Sequence, residues 1–138
     1  MIKVKELVEA FAPHRGDAIV ISGRAGRYWH AISDGPTDFG LGDPAMGGHA
    51  GFSLGLALAQ PERPVVLFDS EGDLLMNLGI LATIAEQAPP KYYYFLMDNE
   101  CYATTGGQPV PNASRVAYDQ VARGCGFERT YVFHEIEP

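Results

Sequence analysis

The stretch "VVLFDSEGDLLMNLG", residues 65 to 79, decides how this chain is read. Val65 to Asp69 is a short continuous apolar run ending in an acid, the pattern of a strand buried on both faces. Three carboxylates, Asp69, Glu71 and Asp73, then surround the single glycine Gly72. "LLMNLGILATIAEQA" (74 to 88) follows and reads as a buried helix, stopped by Pro89 and Pro90, with "YYYFLMD" (92 to 98) as the next strand. Strand, helix and strand in that order form a right-handed βαβ unit, whose strands are parallel and end at the same edge. Glu71, just past the first strand, and Asn99, just past the second, then converge, because neighbouring strands lie ~4.8 Å apart. Open α/β sheets bind their ligands at that edge.

The same alternation continues outward. Val4, Leu7, Val8 and Phe11 stand at helical spacing and predict a helix over 3–12, ended by Pro13. "AIVIS" (18 to 22) predicts a buried strand. Residues 23 to 45, rich in Gly, Pro and Asp, read as a long irregular connection, a kind of loop that is usually functional or disordered. "MGGHAGFSLGLALAQ" (46 to 60) predicts a helix, small and apolar nearly all round, pressed against a sheet. A further helix is expected over 113–123, capped by Ser114 or Asn112, and a last strand at "TYVFH" (130 to 134). The order of elements argues for one α/β domain over residues 1 to 138, with a mostly parallel sheet.

Composition sets the bounds. A length of 138 residues suits one domain, which typically has ~100 to 150. With 46% hydrophobic and 20% charged residues the chain is globular rather than disordered. No apolar run reaches the ~18 residues of a membrane span. The start "MIKVKELVEAF" mixes charge with apolar residues and reads as neither signal nor transit peptide, so a cytoplasmic location is expected. A formal charge of −7 disfavours nucleic acid and leaves phosphate to be held by a metal or by backbone amides. Cys101 and Cys125 lack any partner motif and read as buried free thiols.

A carboxylate and an amide oxygen at one site suit Mg²⁺, which takes few protein ligands and leaves its other positions to water and phosphates. A diphosphate would complete the picture. The helix that begins there offers free N–H groups and a favourable dipole, and Gly72 lets the backbone come close. On local spacing alone, a second reading stands equal: Asp69, Glu71 and Asp73 as strand-end and helix-cap acids, with Asp73 as N-cap and Asp69 without further role. His30 and His49 are within reach of the site, although a lone histidine more often has a structural partner.

Taken together, "VVLFDSEGDLLMNLGILATIAEQAP" and "LMDNECYATTGGQ" resemble the cofactor-binding signature of thiamine-diphosphate-dependent enzymes, Gly-Asp-Gly followed two to three dozen residues later by Asn-Asn or Asp-Asn. "DPAMGGHAGFSLGLALAQPERPVVLF" is similar to the Gly-Ser-Met-Gly segment and following helix of sulfopyruvate and phosphonopyruvate decarboxylases, and "TTGGQP" to their Ser-Thr-Gly-x-Gln-Pro. The likeness is to their β subunit, or C-terminal diphosphate-binding domain, and covers nearly the whole chain. It implies a three-layer doubly wound fold with helices on both faces of the sheet. The chain stops at "HEIEP", where that fold would be expected to add a helix and strand, so a shortened form or a sheet completed by another chain is implied.

By resemblance, Mg²⁺ would be held by Glu71, Asn99 and the backbone carbonyl of Cys101. Met46 would wedge under the thiamine diphosphate, the Pro44 carbonyl would accept from its aminopyrimidine, and Ala45, Gly47 and Gly48 would shape that wall. Gly72, Asp73 and Tyr102 complete the expected cofactor-binding set. The activating glutamate of such enzymes sits on a pyrimidine-binding domain, so the catalytic group is expected on a partner α subunit, in an α₂β₂ or other hetero-oligomer, or in a homo-oligomer. The implied reaction is decarboxylation of a small anionic 2-oxo acid. The sequence has Ser70-Glu71-Gly72 for Gly-Asp-Gly, and Asp73 where a phosphate-contacting serine is common. These departures keep two alternatives open: a non-catalytic binding or regulatory homologue, and an acetolactate-synthase-like carboligase.

Overall fold

The computed structural model describes residues 1–41 and 45–136. Four parallel strands form the central sheet: β1 (Ile19–Ile21), β2 (Asp38–Phe39), β3 (Val65–Ser70) and β4 (Tyr92–Met97), in the order β2-β1-β3-β4. β3 and β4 pair over their full length, from Val65 opposite Tyr92 to Ser70 opposite Met97. A central strand must bury both faces, and the alternation of β3 does so. Val65 and Leu67 face α3 (His49–Ala59) and α5 (Ile80–Gln87), packing with Leu54, Ala57 and Ile84. Val66 and Phe68 face α1 (Val4–Phe11) and α2 (Gly26–Trp29), in a cluster with Val8 and Trp29. The result is three layers, a doubly wound α/β fold with helices on both faces, as the sequence predicts. Among the described residues, no helix is long and apolar enough to cross a membrane.

Several local expectations need correction. The predicted helix over 46–60 starts at His49, because Met46 (φ +51°) and Gly47 (φ +84°) are left-handed and cannot continue a right-handed helix. The predicted helix over 74–88 starts earlier and breaks: α4 (Glu71–Met76) and α5 are separated by Asn77–Gly79. Asn77 leaves the helical path, and its side-chain amide donates to the Gly47 carbonyl at 3.2 Å. The helix predicted over 113–123 is α6 (Tyr118–Gly124), since Asn112 and Ser114 have φ of +57° and +61° and form turns instead of a cap. No strand forms over 130–134: Tyr131, Val132 and Phe133 are exposed, with the rings of Tyr131 and Phe133 stacked on each other. Both cysteines are free, but half-buried, Cys101 in the small antiparallel hairpin of β5 (Cys101–Tyr102) and β6 (Gln108–Pro109) and Cys125 just past α6.

The irregular 23–45 connection contains α2 and β2, held by one carboxylate. Asp38 accepts from the Arg15 guanidinium at 2.8 Å, Trp29 Nε1 at 2.9 Å, the Ser33 hydroxyl at 2.7 Å and the Gly35 N–H at 2.7 Å. Burial alone would raise its pKa, but these partners outweigh burial and hold the carboxyl below the ordinary range. Asp38→Ala should therefore cost about 3 kcal/mol or more in denaturant unfolding, since it strands a half-buried arginine and a buried indole N–H. Lys5→Ala, which removes only an exposed pair with Glu9, should leave unfolding unchanged.

Candidate functional site

β1, β3 and β4 are parallel, so their carboxyl ends open onto one edge, where α4 begins directly at the end of β3. Ser70 caps α4: its hydroxyl accepts the Asp73 N–H at 3.3 Å. This corrects the expectation that Asp73 is the cap. Asp73, one turn inside the helix, reaches back across the site, accepting from the Gly47 N–H at 3.0 Å and pairing with His49 Nδ1 at 2.7 Å. Gly47 is thus fixed to α4 through its N–H by Asp73 and through its carbonyl by Asn77. A Cβ on Gly47 would stand 2.8 Å from Asn77 Cβ, so the close approach requires glycine.

Asp69 has more to do than end a strand. It accepts from the Ser70 N–H at 2.9 Å and the Tyr94 hydroxyl at 2.6 Å, and its other contact is His49 Nδ1 at 3.5 Å. His49, Asp69 and Asp73 are each about 1% exposed, and their donor atoms lie within 4.8 Å of one another. The cluster has metal-ligand residue types, and in the structure His49 Nδ1 is paired directly with Asp73 at 2.7 Å and with Asp69 at 3.5 Å. Burial works against charge on the imidazole, yet the bonds to Asp69 and Asp73 outweigh it and push His49 up to about 9. The same partnership, with the charge of Arg24, holds Asp73 below the usual carboxylate range in spite of burial.

Glu71 is the third buried acid, fully enclosed at 0% exposure, and it has no such cation. Its Oε1 accepts the Cys101 N–H at 3.0 Å, and Asn99 Oδ1 accepts the same N–H at 3.2 Å. The two expected oxygen donors therefore do converge on one point. Among the described residues, Glu71 Oε2 is buried without a partner. Burial pushes the Glu71 carboxyl up, the charge of Asp98 adds to this, and nearby backbone N–H groups oppose it. A divalent cation between Glu71 and Asn99 would satisfy the orphaned oxygen and offset both acids, so the donor set fits Mg²⁺. The Cys101 amide, rather than its carbonyl, is the group engaged in the structure.

The remaining candidates divide. Gly72 is covered by the Tyr102 ring, whose Cδ1 would lie 2.8 Å from a Cβ there, which brings the β5–β6 hairpin onto α4. Met46 is 64% exposed, so it is not a core residue, and Ala45 and Gly48 close the turn beside it through a 2.8 Å N–H to carbonyl bond. Pro44 lies outside the described residues. His30 stands apart, bonded to Ser22 Oγ at 3.3 Å and Asp34 at 3.2 Å. Tyr118, which sequence reasoning missed, faces the Glu71 side: burial and the charges of Asp98 and Glu71 push its hydroxyl up to about 12. It falls inside the helix predicted over 113–123, but no motif ties that helix to the carboxyl edge.

The His49 shift has a defined sign. Its folded value of about 9 lies above the ~6.5 of an unfolded histidine, so its stabilisation is complete below ~6.5 and is lost as the pH rises through about 9. Denaturant unfolding from pH 6 to 10 should show the parent losing stability over that interval, with the slope reduced in His49→Gln.

The family model described as thiamine pyrophosphate enzyme, C-terminal TPP binding domain, matches residues 24–136. The chain is 40% identical over 129 residues to the sulfopyruvate decarboxylase subunit beta of Methanothermobacter thermautotrophicus, covering 92% of this chain and 68% of that one. It is 38% identical over 117 residues to the phosphonopyruvate decarboxylase of Streptomyces viridochromogenes, covering 83% of this chain and 29% of that one. With the sulfopyruvate decarboxylase subunit beta of Methanocaldococcus jannaschii it shares 37% over 84 residues, 61% of this chain and 44% of that one. A parallel sheet with acids and an amide gathered at its carboxyl edge, and a family match over most of the length, lead to one conclusion: the chain belongs to the C-terminal, TPP-binding domain family of thiamine pyrophosphate enzymes.

Proposed function

We propose that this chain is the diphosphate- and metal-holding subunit of a thiamine-diphosphate- and Mg²⁺-dependent decarboxylase acting on a small anionic 2-oxo acid. The relatives' names supply the substrate class, sulfopyruvate or phosphonopyruvate, and the word subunit supplies the idea of a partner. The single observation that carries the reading is the buried, unpartnered Oε2 of Glu71 beside Asn99 at the carboxyl edge.

When bound, the metal would supply positive charge to hold a diphosphate, and the cofactor would supply the electron sink that a decarboxylation needs. The chain's own residues hold and orient. Glu71, Asn99 and the Cys101 carbonyl would ligate the ion. The left-handed turn at Met46 and Gly47, fixed to α4 by Asp73 and Asn77, presents an exposed Met46 as the cofactor's support and Ala45, Gly47 and Gly48 as its wall. Gly72 and Tyr102 enclose the metal side. The group that activates the aminopyrimidine would come from a pyrimidine-binding partner subunit, which makes the active assembly an oligomer.

Asp73 stands where a serine commonly meets phosphate. Its negative charge is offset by His49 and directed toward Gly47, which supports an intact site over a decayed one. Calorimetric titration of the chain with its copurifying partner tests the reading. Thiamine diphosphate should bind only with Mg²⁺, and Glu71→Gln should weaken that binding by about a hundredfold, as expected when a buried charged ligand is lost. Absence of metal-dependent binding in the parent, with binding created by Glu71→Asp, would establish the non-catalytic alternative instead.

A further inference from the structure

The three consecutive tyrosines at 92–94 have no part in the site described so far. Strand alternation sends Tyr92 and Tyr94 to the face of the sheet that α3 and α5 cover, and Tyr93 to the opposite one. Tyr94 stands opposite Leu67 in β3, so Asp69, two residues further along, lies diagonally across from it on the same face. A tyrosine ring can be buried there by packing alone, but its hydroxyl needs a partner. Tyr92 pairs with the Ser53 hydroxyl at 2.7 Å, whereas Tyr94 donates to Asp69 Oδ2 at 2.6 Å.

We propose that Tyr94 is a positioning residue: by occupying Asp69, its hydroxyl directs His49 onto Asp73 and so fixes the turn at Gly47. His49 presents one ring nitrogen, Nδ1, to two carboxylates. Carboxylates only accept, so Nδ1 carries the proton, and it can bond only one of the two at full strength. Asp69 and Asp73 are the same residue type and equally buried, yet they stand 3.5 Å and 2.7 Å from it. The difference follows from what else each acid accepts. Asp69 has a donor on either oxygen, the Ser70 N–H at 2.9 Å on Oδ1 and the Tyr94 hydroxyl on Oδ2. Asp73 takes the Gly47 N–H on Oδ1 at 3.0 Å and the imidazole on Oδ2. A buried carboxylate deprived of a donor draws on the nearest replacement, and for Asp69 that is the His49 Nδ1–H. Tyr94 keeps its proton, since burial and the charge of Asp69 push its hydroxyl well above the ordinary tyrosine range. It therefore acts on the turn through three other side chains, Asp69, His49 and Asp73.

The step from the turn to a cofactor rests on the functional reading above, and the step from Tyr94 to the turn does not. NMR of the full chain, following the His49 Nδ1–H proton and the hydrogen exchange of the Gly47 amide, tests the second. In Tyr94→Phe the Nδ1–H signal should shift, and the Gly47 amide should exchange about tenfold faster, as expected when one hydrogen bond is lost. Tyr92→Phe removes a neighbouring hydroxyl that bonds Ser53 instead, so both signals should stay as in the parent. Adding Asp69→Asn to Tyr94→Phe removes the competing charge and should restore slow exchange at Gly47. Unchanged signals in Tyr94→Phe, the same changes in Tyr92→Phe, or no rescue in a double variant whose spectrum shows it folded, overturns the proposal even where cofactor binding is intact. Calorimetry with the copurifying partner and Mg²⁺ tests the first step: Tyr94→Phe should weaken thiamine diphosphate binding about tenfold. Equal affinity, or no binding by the parent, together with the expected NMR changes would sink the cofactor role of the turn and uphold the role of Tyr94 in fixing it.

Discussion

The 2.7 Å pair between His49 and Asp73 is the interaction on which the rest of the site depends. It joins the first turn of α3 to the first turn of α4, and the same Asp73 carboxylate takes the Gly47 N–H. A buried carboxylate without a cation costs several kcal/mol, whereas a paired and hydrogen-bonded one is tolerated. His49 meets that need for Asp73 and Asp69 together. The turn at Met46 and Gly47, which neither residue's neighbours would favour in isolation, is then held from both ends of α4.

Charge compensation also explains why Glu71 is different. Three buried acids stand within five residues, and the single buried histidine faces two of them. Glu71 is left with backbone N–H groups alone, Cys101's at 3.0 Å among them, an oxygen unpartnered among the described residues and the added repulsion of Asp98. That is an unfavourable state for the protein alone and a favourable one for a protein that binds a divalent ion. The resemblance sets Glu71 against a metal-binding Asp one methylene shorter, and in the structure the Cys101 amide tethers one of its oxygens.

The sequence made the central βαβ unit legible because 65–69 and 92–98 are continuous apolar runs, although only β3 is buried on both faces and β4, at the edge of the described sheet, is half-buried. Helix α1 was equally plain from Val4, Leu7, Val8 and Phe11. What periodicity could not reveal were elements held by single polar contacts. Strand β2 exists because Asp38 gathers Arg15, Trp29, Ser33 and Gly35, which leaves no apolar pattern behind. The break after Met76 follows from an asparagine bonding to a distant loop, and the turns at Asn112 and Ser114 from left-handed backbone at residues that look like caps. At 130–134 the strand pattern is present but no neighbouring strand pairs with it among the described residues. Within the site, Glu71, Gly72 and Asn99 were found from their placement in the chain. Asp73 was misread because a cap and a cross-site acceptor are the same residue type at the same spacing; the structural partner expected of His49 is there, but which acids supply it was not legible, because they are 20 and 24 residues away.

The central claim is that Glu71 and Asn99 wait for a divalent cation. Crystals grown with thiamine diphosphate and Mn²⁺ in place of Mg²⁺, measured for anomalous scattering from manganese, test it most directly. The account predicts one strong peak in coordinating contact with Glu71 Oε2 and Asn99 Oδ1, with His49 and Asp73 still paired. A peak centred among His49, Asp69 and Asp73, or cofactor bound with no metal at Glu71, would contradict it.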